Sequence, residues 1–166
     1  MSFKKCFSVA AVLAASSICS SSNAALHDPP RWLTPELREI QISIESIGVP
    51  TFWQDAAFCE EGVAGLYSPS FGVVQMCTKA LAGNYQEMLA TLKHEGWHVV
   101  QHRCNNYRSA FKDSVIAGSM NAPERQVLHK YHPKERRLEA EARLVEKIPT
   151  SKYVPMIYSY CLGKSG

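Results

Sequence analysis

Apolar residues recur at helical spacing in three stretches of this chain. Leu37, Ile40, Ile44 and Ile47 follow the start signal Thr34-Pro35-Glu36 and precede Gly48, a stop, which predicts a scaffold helix. A second pattern opens at Gly83-Asn84, a capping pair, and runs to about Asn105 or Asn106. On a wheel turning about 100° per residue, with His94 as zero, Tyr85, Leu89, Leu92, Gly96, Val99 and Val100 fall at roughly 140° to 240°. That helix therefore has an apolar face for a core and an opposite face free for other work. Gly96 on the core face weakens the helix by about 1 kcal/mol relative to Ala, so another backbone is expected to pack closely there. The third stretch, Pro133 to about Lys147, puts Leu138, Ala142 and Val145 on one stripe and ends before Pro149. Between the first two helices, Val63 to Tyr67 and Phe71 to Cys77 read as the strands of a hairpin around Ser68-Pro69-Ser70. A short helical patch is expected around Phe111 to Ile116, a break at Gly118 to Pro123, and a last short helix from Ser151 to Cys161. Phe52 to Phe58 is aromatic-rich and stays unassigned, and His27 to Arg31 reads as an irregular, Pro-containing arm.

The N-terminus changes the picture of where such a chain works. Lys4 and Lys5, an apolar stretch from Cys6 to Cys19 and a small-residue site at Ser22 and Ala24 make residues 1–24 a secretory signal, leaving 25–166 as one domain. The apolar stretch is too short to span a bilayer. Loss of Lys4 and Lys5 takes two of 18 basic side chains against 15 acidic ones, so the mature chain is close to neutral, which gives no reason to expect a nucleic-acid or anionic-membrane partner. Four cysteines remain after cleavage, Cys59, Cys77, Cys104 and Cys161, and an even number in an exported chain predicts two disulfides. Three pairings exist. The hairpin favours Cys59 with Cys77, which leaves Cys104 with Cys161.

Candidate chemistry sits on the second helix. His94-Glu95-Gly96-Trp97-His98 is an HExxH pattern, and residues four apart on a helix lie about 6 Å apart along the axis and about 40° apart around it. Both imidazoles can reach one divalent metal, with Glu95 on the flank, able to reach a bound water without being a ligand. The bland alternative is a helix with surface histidines. A catalytic zinc needs a third protein ligand. His102 lies about 12 Å along the helix from His94, too far to join, and reads as an outer hydrogen-bonding partner or a solvent-facing side chain. The acids of the third helix are closer in kind: Glu139 is preferred, then Glu135, which also borders the apolar stripe, then Glu141 on the other flank. Each is also a plausible partner for Arg136, Arg137 or Arg143 on a solvated face.

His94-Glu95-x-x-His98-x-x-Gln101 followed by Glu139-x-Glu141-Ala142 resembles the gluzincins, zinc peptidases in which two helices supply a His-His-Glu site, and in particular small exported bacterial HExxH proteins. No Asp follows Ala142, where many relatives have one. The resemblance implies an α+β, mainly α fold: a minimal zincin-like domain with an active-site helix, a second ligand-bearing helix and a small β-hairpin or sheet. It also implies that the edge of that sheet can hold an extended peptide by backbone hydrogen bonds. The expected mechanism is hydrolysis of a peptide or protein substrate: His94, His98 and Glu139 hold Zn²⁺, and Glu95 takes the proton of the bound water and passes it to the leaving amine. His129, Tyr131, His132 and Tyr67 are candidates for a second donor to the oxyanion. The alternative from another class is a non-catalytic zinc-binding or disulfide-stapled exported interaction module. Retention of Glu95 speaks against it, because a purely structural site has no use for that carboxylate.

Overall fold

The structure, a computed structural model, describes residues 32–53, 59 and 62–163. The signal at 1–24, the arm at 27–31 and residues 54–58 of the aromatic segment lie outside the described residues. The first helix, α1 (Pro35–Glu45), starts where Thr34 accepts a hydrogen bond from the Leu37 amide and stops before Gly48, whose φ of 80° only glycine adopts freely. Three strands follow, β1 (Thr51–Trp53), β2 (Gly65–Ser68) and β3 (Val73–Met76), in the order β1-β3-β2. The expected hairpin is β2 with β3, antiparallel with Leu66 opposite Gln75 and Tyr67 opposite Val74. The sequence pattern left β1 unassigned, and it pairs parallel to β3 with Phe52 beside Gln75. A strand of three residues is too short to show an alternating pattern.

After a single turn, α2 (Thr78–Leu81), the long helix α3 (Tyr85–Val99) begins at Asn84, whose side chain caps the Glu87 amide. It was expected to stay α-helical to about Asn105. Instead Val100–Cys104 form a π turn, in which the Asn105 amide reaches back five residues to the Val100 carbonyl at 3.0 Å. Then come α4 (Asp113–Ser119), α5 (Ala122–Leu128), α6 (Arg136–Glu146) and α7 (Thr150–Cys161). The expected break at Gly118 to Pro123 is narrower than predicted. Gly118 is inside α4, and α5 was missed although Asn121 and Glu124 form a reciprocal capping box with the proline just inside the helix start. In all, the chain has a small α+β, mainly α fold with a mixed three-stranded sheet.

The core lies around α3. Leu92, Trp97 and Val99 are fully buried with Ile40 and Ile44 of α1, Val145 of α6 and Tyr153 and Ile157 of α7. Each such aliphatic or aromatic side chain contributes about 1.5–3 kcal/mol on leaving water. Gly96 is the point of closest approach, though the neighbours are side chains and not the backbone that the sequence suggested. A β-carbon there would stand 2.5 Å from the Tyr153 hydroxyl and 2.6 Å from Ile44 Cδ1. Gly96→Ala is therefore expected to destabilise by about 1–3 kcal/mol through overpacking, despite alanine's better helix propensity, and a lower denaturant midpoint checks this. Both expected disulfides are present, Cys59–Cys77 and Cys104–Cys161. The second ties the end of the π turn to the end of α7 and suits an oxidising compartment. Among the described residues, no helix is long and apolar enough to cross a membrane.

Candidate metal centre

Packing α3 against α6 brings the face opposite the core of α3 onto the acidic flank of α6. His94 Nε2 and His98 Nε2 lie 3.1 Å apart, and the two oxygens of Glu139 stand 3.4 Å from the first and 3.3 Å from the second. Among the described residues, this trio is the group of His, Cys, Asp and Glu side chains whose ligand atoms are close enough to hold a metal ion. Glu135 and Glu141, the other carboxylates considered, are not part of it. Glu135 precedes α6, is exposed and only lines the neighbouring cleft. Glu141 points the other way and is completely buried, accepting from Trp97 Nε1 at 2.8 Å and from the Ala110 amide at 3.0 Å, so it fixes the loop after the π turn to the core.

Proton placement shows what the trio needs. His94 Nδ1 donates to Glu146 Oε2 at 3.1 Å, and His98 Nδ1 donates to Gln101 Oε1 at 2.8 Å. The Gln101 amide cannot be turned round, because its Nε2 donates to the Leu138 carbonyl at 3.0 Å. Neutral imidazoles so held present lone pairs from both Nε2 atoms toward one point, and Glu139 adds a carboxylate. Its Oε2 is buried, makes no close hydrogen bond and stands 3.4 Å from His94 Nε2. Two lone pairs and an anion facing one another repel unless a proton or a metal cation lies among them. Burial alone would lower the pKa of His94, but Glu139 and Glu146, with the charge of Glu95, raise it to about 9. Burial would likewise raise the Glu139 carboxyl, yet His94 and His98 hold it well below the usual carboxylate range. A metal ion must displace the His94 proton, so affinity weakens as pH falls below about 9.

Glu146 and Gln101 were not identified from sequence as partners of the histidines. Glu146 lies two helical turns beyond Glu139 on α6, a spacing that keeps both on one face. It supplies the carboxylate that accepts from His94 Nδ1 in a chain with no Asp after Ala142. Glu146→Ala is expected to weaken metal binding about 10- to 100-fold, and Glu146→Gln, which still accepts from Nδ1, much less. Competition against a chelator measures both; equal affinities would mean that packing alone orients His94.

The site opens into a cleft of about 690 Å³ between α3, β2 and the start of α6. Because the Cys77 amide donates to the Ala64 carbonyl, Ala64, Leu66 and Ser68 turn their backbone groups toward β3, while Gly65 and Tyr67 turn theirs outward along the sheet edge. The Tyr67 amide donates to Glu95 Oε2 at 2.7 Å, fixing that carboxylate beside His94 and His98 at the cleft wall. Gly65 permits this approach, since a β-carbon there would stand 2.6 Å from Thr91 Cγ2 and 3.3 Å from Glu95 Cγ. Of the four candidate oxyanion donors, Tyr67 and Tyr131 line the cleft, whereas His129 and His132 are exposed and do not. The Tyr67 hydroxyl is engaged with His102 Nδ1 at 2.7 Å, which also places His102 as an outer partner of the site. Burial and the Glu139 charge raise the Tyr131 hydroxyl above its ordinary range, keeping it a donor at neutral pH.

No known protein family, no curated protein and no solved structure matches the chain, so the meaning of the site rests on its own geometry.

Proposed function

We propose that this protein is an exported, zinc-dependent peptidase of the gluzincin type. The observation that carries the reading is the convergence of His94, His98 and Glu139 beside an open cleft, with Glu95 held next to them but outside the trio. Zinc suits the donor set, two nitrogens and one carboxylate. The two nitrogens stand 3.1 Å apart, with Glu139 Oε2 3.4 Å from His94 Nε2 and Oε1 3.3 Å from His98 Nε2, separations that a single ion among them could bridge. A coordination place left open to the cleft would separate a catalytic from a structural zinc site. His94, His98 and Glu139 would hold the zinc, which when bound would supply an acidified water and a polarised carbonyl.

The chain's own residues supply the rest. Glu95, oriented by the Tyr67 amide, accepts the proton of the attacking water and returns it to the leaving amine. Tyr131, at the cleft beside Glu139, is the candidate donor to the oxyanion, and would turn to it from Glu139 and Arg143, whereas Tyr67 is held by His102. On this outer edge of β2 an extended peptide would pair with the outward-turned Tyr67 carbonyl, which gives affinity without demanding sequence. Export is supported by the two disulfides and by the signal-like residues 1–24.

The expected outcome of metal removal tests the whole reading. Protein stripped by a chelator loses peptide hydrolysis, one equivalent of zinc restores it, and magnesium, which prefers six oxygen ligands, does not. Hydrolysis that persists in metal-free protein would overturn it.

A further inference from the structure

Beyond the π turn the backbone does something a scaffold has no need of. Asn106 and Tyr107 follow one another with φ of 51° and 57°, a left-handed pair with no glycine in it. Strained backbone persists only where its surroundings impose it. Here the Tyr107 amide donates to the Gln101 carbonyl at 2.7 Å, Asn105 Nδ2 donates to the Arg108 carbonyl at 2.7 Å, and Cys104 is tied to Cys161. The result of that restraint is to hold the Tyr107 ring, 58% exposed, at the cleft. It meets the His102 ring edge-on, with centroids 4.6 Å apart, and His102 is in turn fixed by the Tyr67 hydroxyl. Three rings thus form one wall of the cleft, with Leu66 and Leu138 adjoining them. Lys134 and Glu135, just before α6 on the same cleft, carry opposite charges.

An ordered, exposed ring on a strained backbone gains little for the fold and much for recognition, because its orientation is fixed before anything binds. We propose that Tyr67, His102 and Tyr107 form a side-chain subsite that takes an aromatic residue next to the scissile bond and so decides which bond is cut. This rests on the peptidase reading of the adjoining centre. Edges and faces of the wall suit another ring, which prefers edge-to-face or offset contact. Gln101 links the two functions, since its carbonyl anchors Tyr107 while its side chain orients His98. The subsite therefore sits at a fixed distance from the metal centre.

Two measurements decide it. With zinc-loaded protein, peptides that differ only by Phe or Ala at each position in turn are expected to show a preference for Phe of about tenfold or more in kcat/KM at one position beside the cleaved bond. Tyr107→Ala should bring that ratio toward one, and Tyr107→Phe should keep it, with thermal unfolding recorded for both. In parallel, acetyl-phenylalanine amide added to metal-free protein should shift the ring signals of Tyr67, His102 and Tyr107 saturably in NMR spectra, and acetyl-alanine amide should not. Cleavage without an aromatic preference, or a titration that moves none of the three rings, overturns the subsite. If the native protein cleaves nothing, the peptidase reading falls, and the ring titration still decides whether an aromatic side chain binds. Should Tyr107→Ala fail to fold, Tyr107→Gly, which relieves the left-handed strain while removing the ring, takes its place.

Discussion

Replacing Glu95 by Gln is expected to lower peptide hydrolysis by about 10²- to 10⁴-fold while one zinc per chain stays bound. The two carboxylate functions at this site are separable in the structure. Glu139 faces both Nε2 atoms, whereas Glu95 is outside that trio and held by the Tyr67 amide. A Gln side chain keeps an oxygen to accept from that amide, so the variant retains its position beside β2 and loses only the ability to take a proton. Zinc content and turnover measured on the same preparation give the answer. Full activity in Glu95→Gln would assign the base elsewhere, and loss of zinc would place Glu95 among the ligands.

The converse variant is Glu139→Ala, for which loss of zinc on dialysis is expected, well beyond the 10- to 100-fold weakening of an orienting residue. Its removal leaves two imidazoles, fewer protein ligands than a catalytic zinc normally has. Glu135→Ala is the matching control, since Glu135 is exposed and outside the trio, and it should keep its zinc. His98→Ala should behave like Glu139→Ala. If Glu135→Ala lost the ion and Glu139→Ala kept it, the ligand set derived from the geometry would be wrong.

Sequence carried the site well where one helix or one stripe defined it. The four-residue spacing of His94 and His98 puts them on one face, and the apolar stripe of α6 turns Glu139 toward them. The three-dimensional meeting of α3 with α6 was legible only through resemblance, because nothing local records which helix packs on which. For the same reason Gln101 and Glu146 passed unnoticed: a hydrogen bond to an imidazole leaves no periodic trace. Glu141 illustrates the opposite error. Its neighbours suggested a solvated face, yet it is enclosed because Trp97 and the Ala110 amide need an acceptor in the interior. The π turn was hidden because it depends on long-range ties, among them the bond from Cys104 to Cys161, and α5 because its capping box lies beside a glycine and a proline that read as a break.

That same covalent tie sets an order of events. Cys104 ends the turn that carries Gln101 and precedes Tyr107, and its partner Cys161 is 57 residues further on, in α7. During synthesis the turn cannot be locked until the ribosome has passed residue 161, and in a reducing cytosol it stays unlocked even then. Under the peptidase reading, the covalent lock on the cleft wall that carries Gln101 and Tyr107 is added only after the whole chain is made and only where thiols are oxidised.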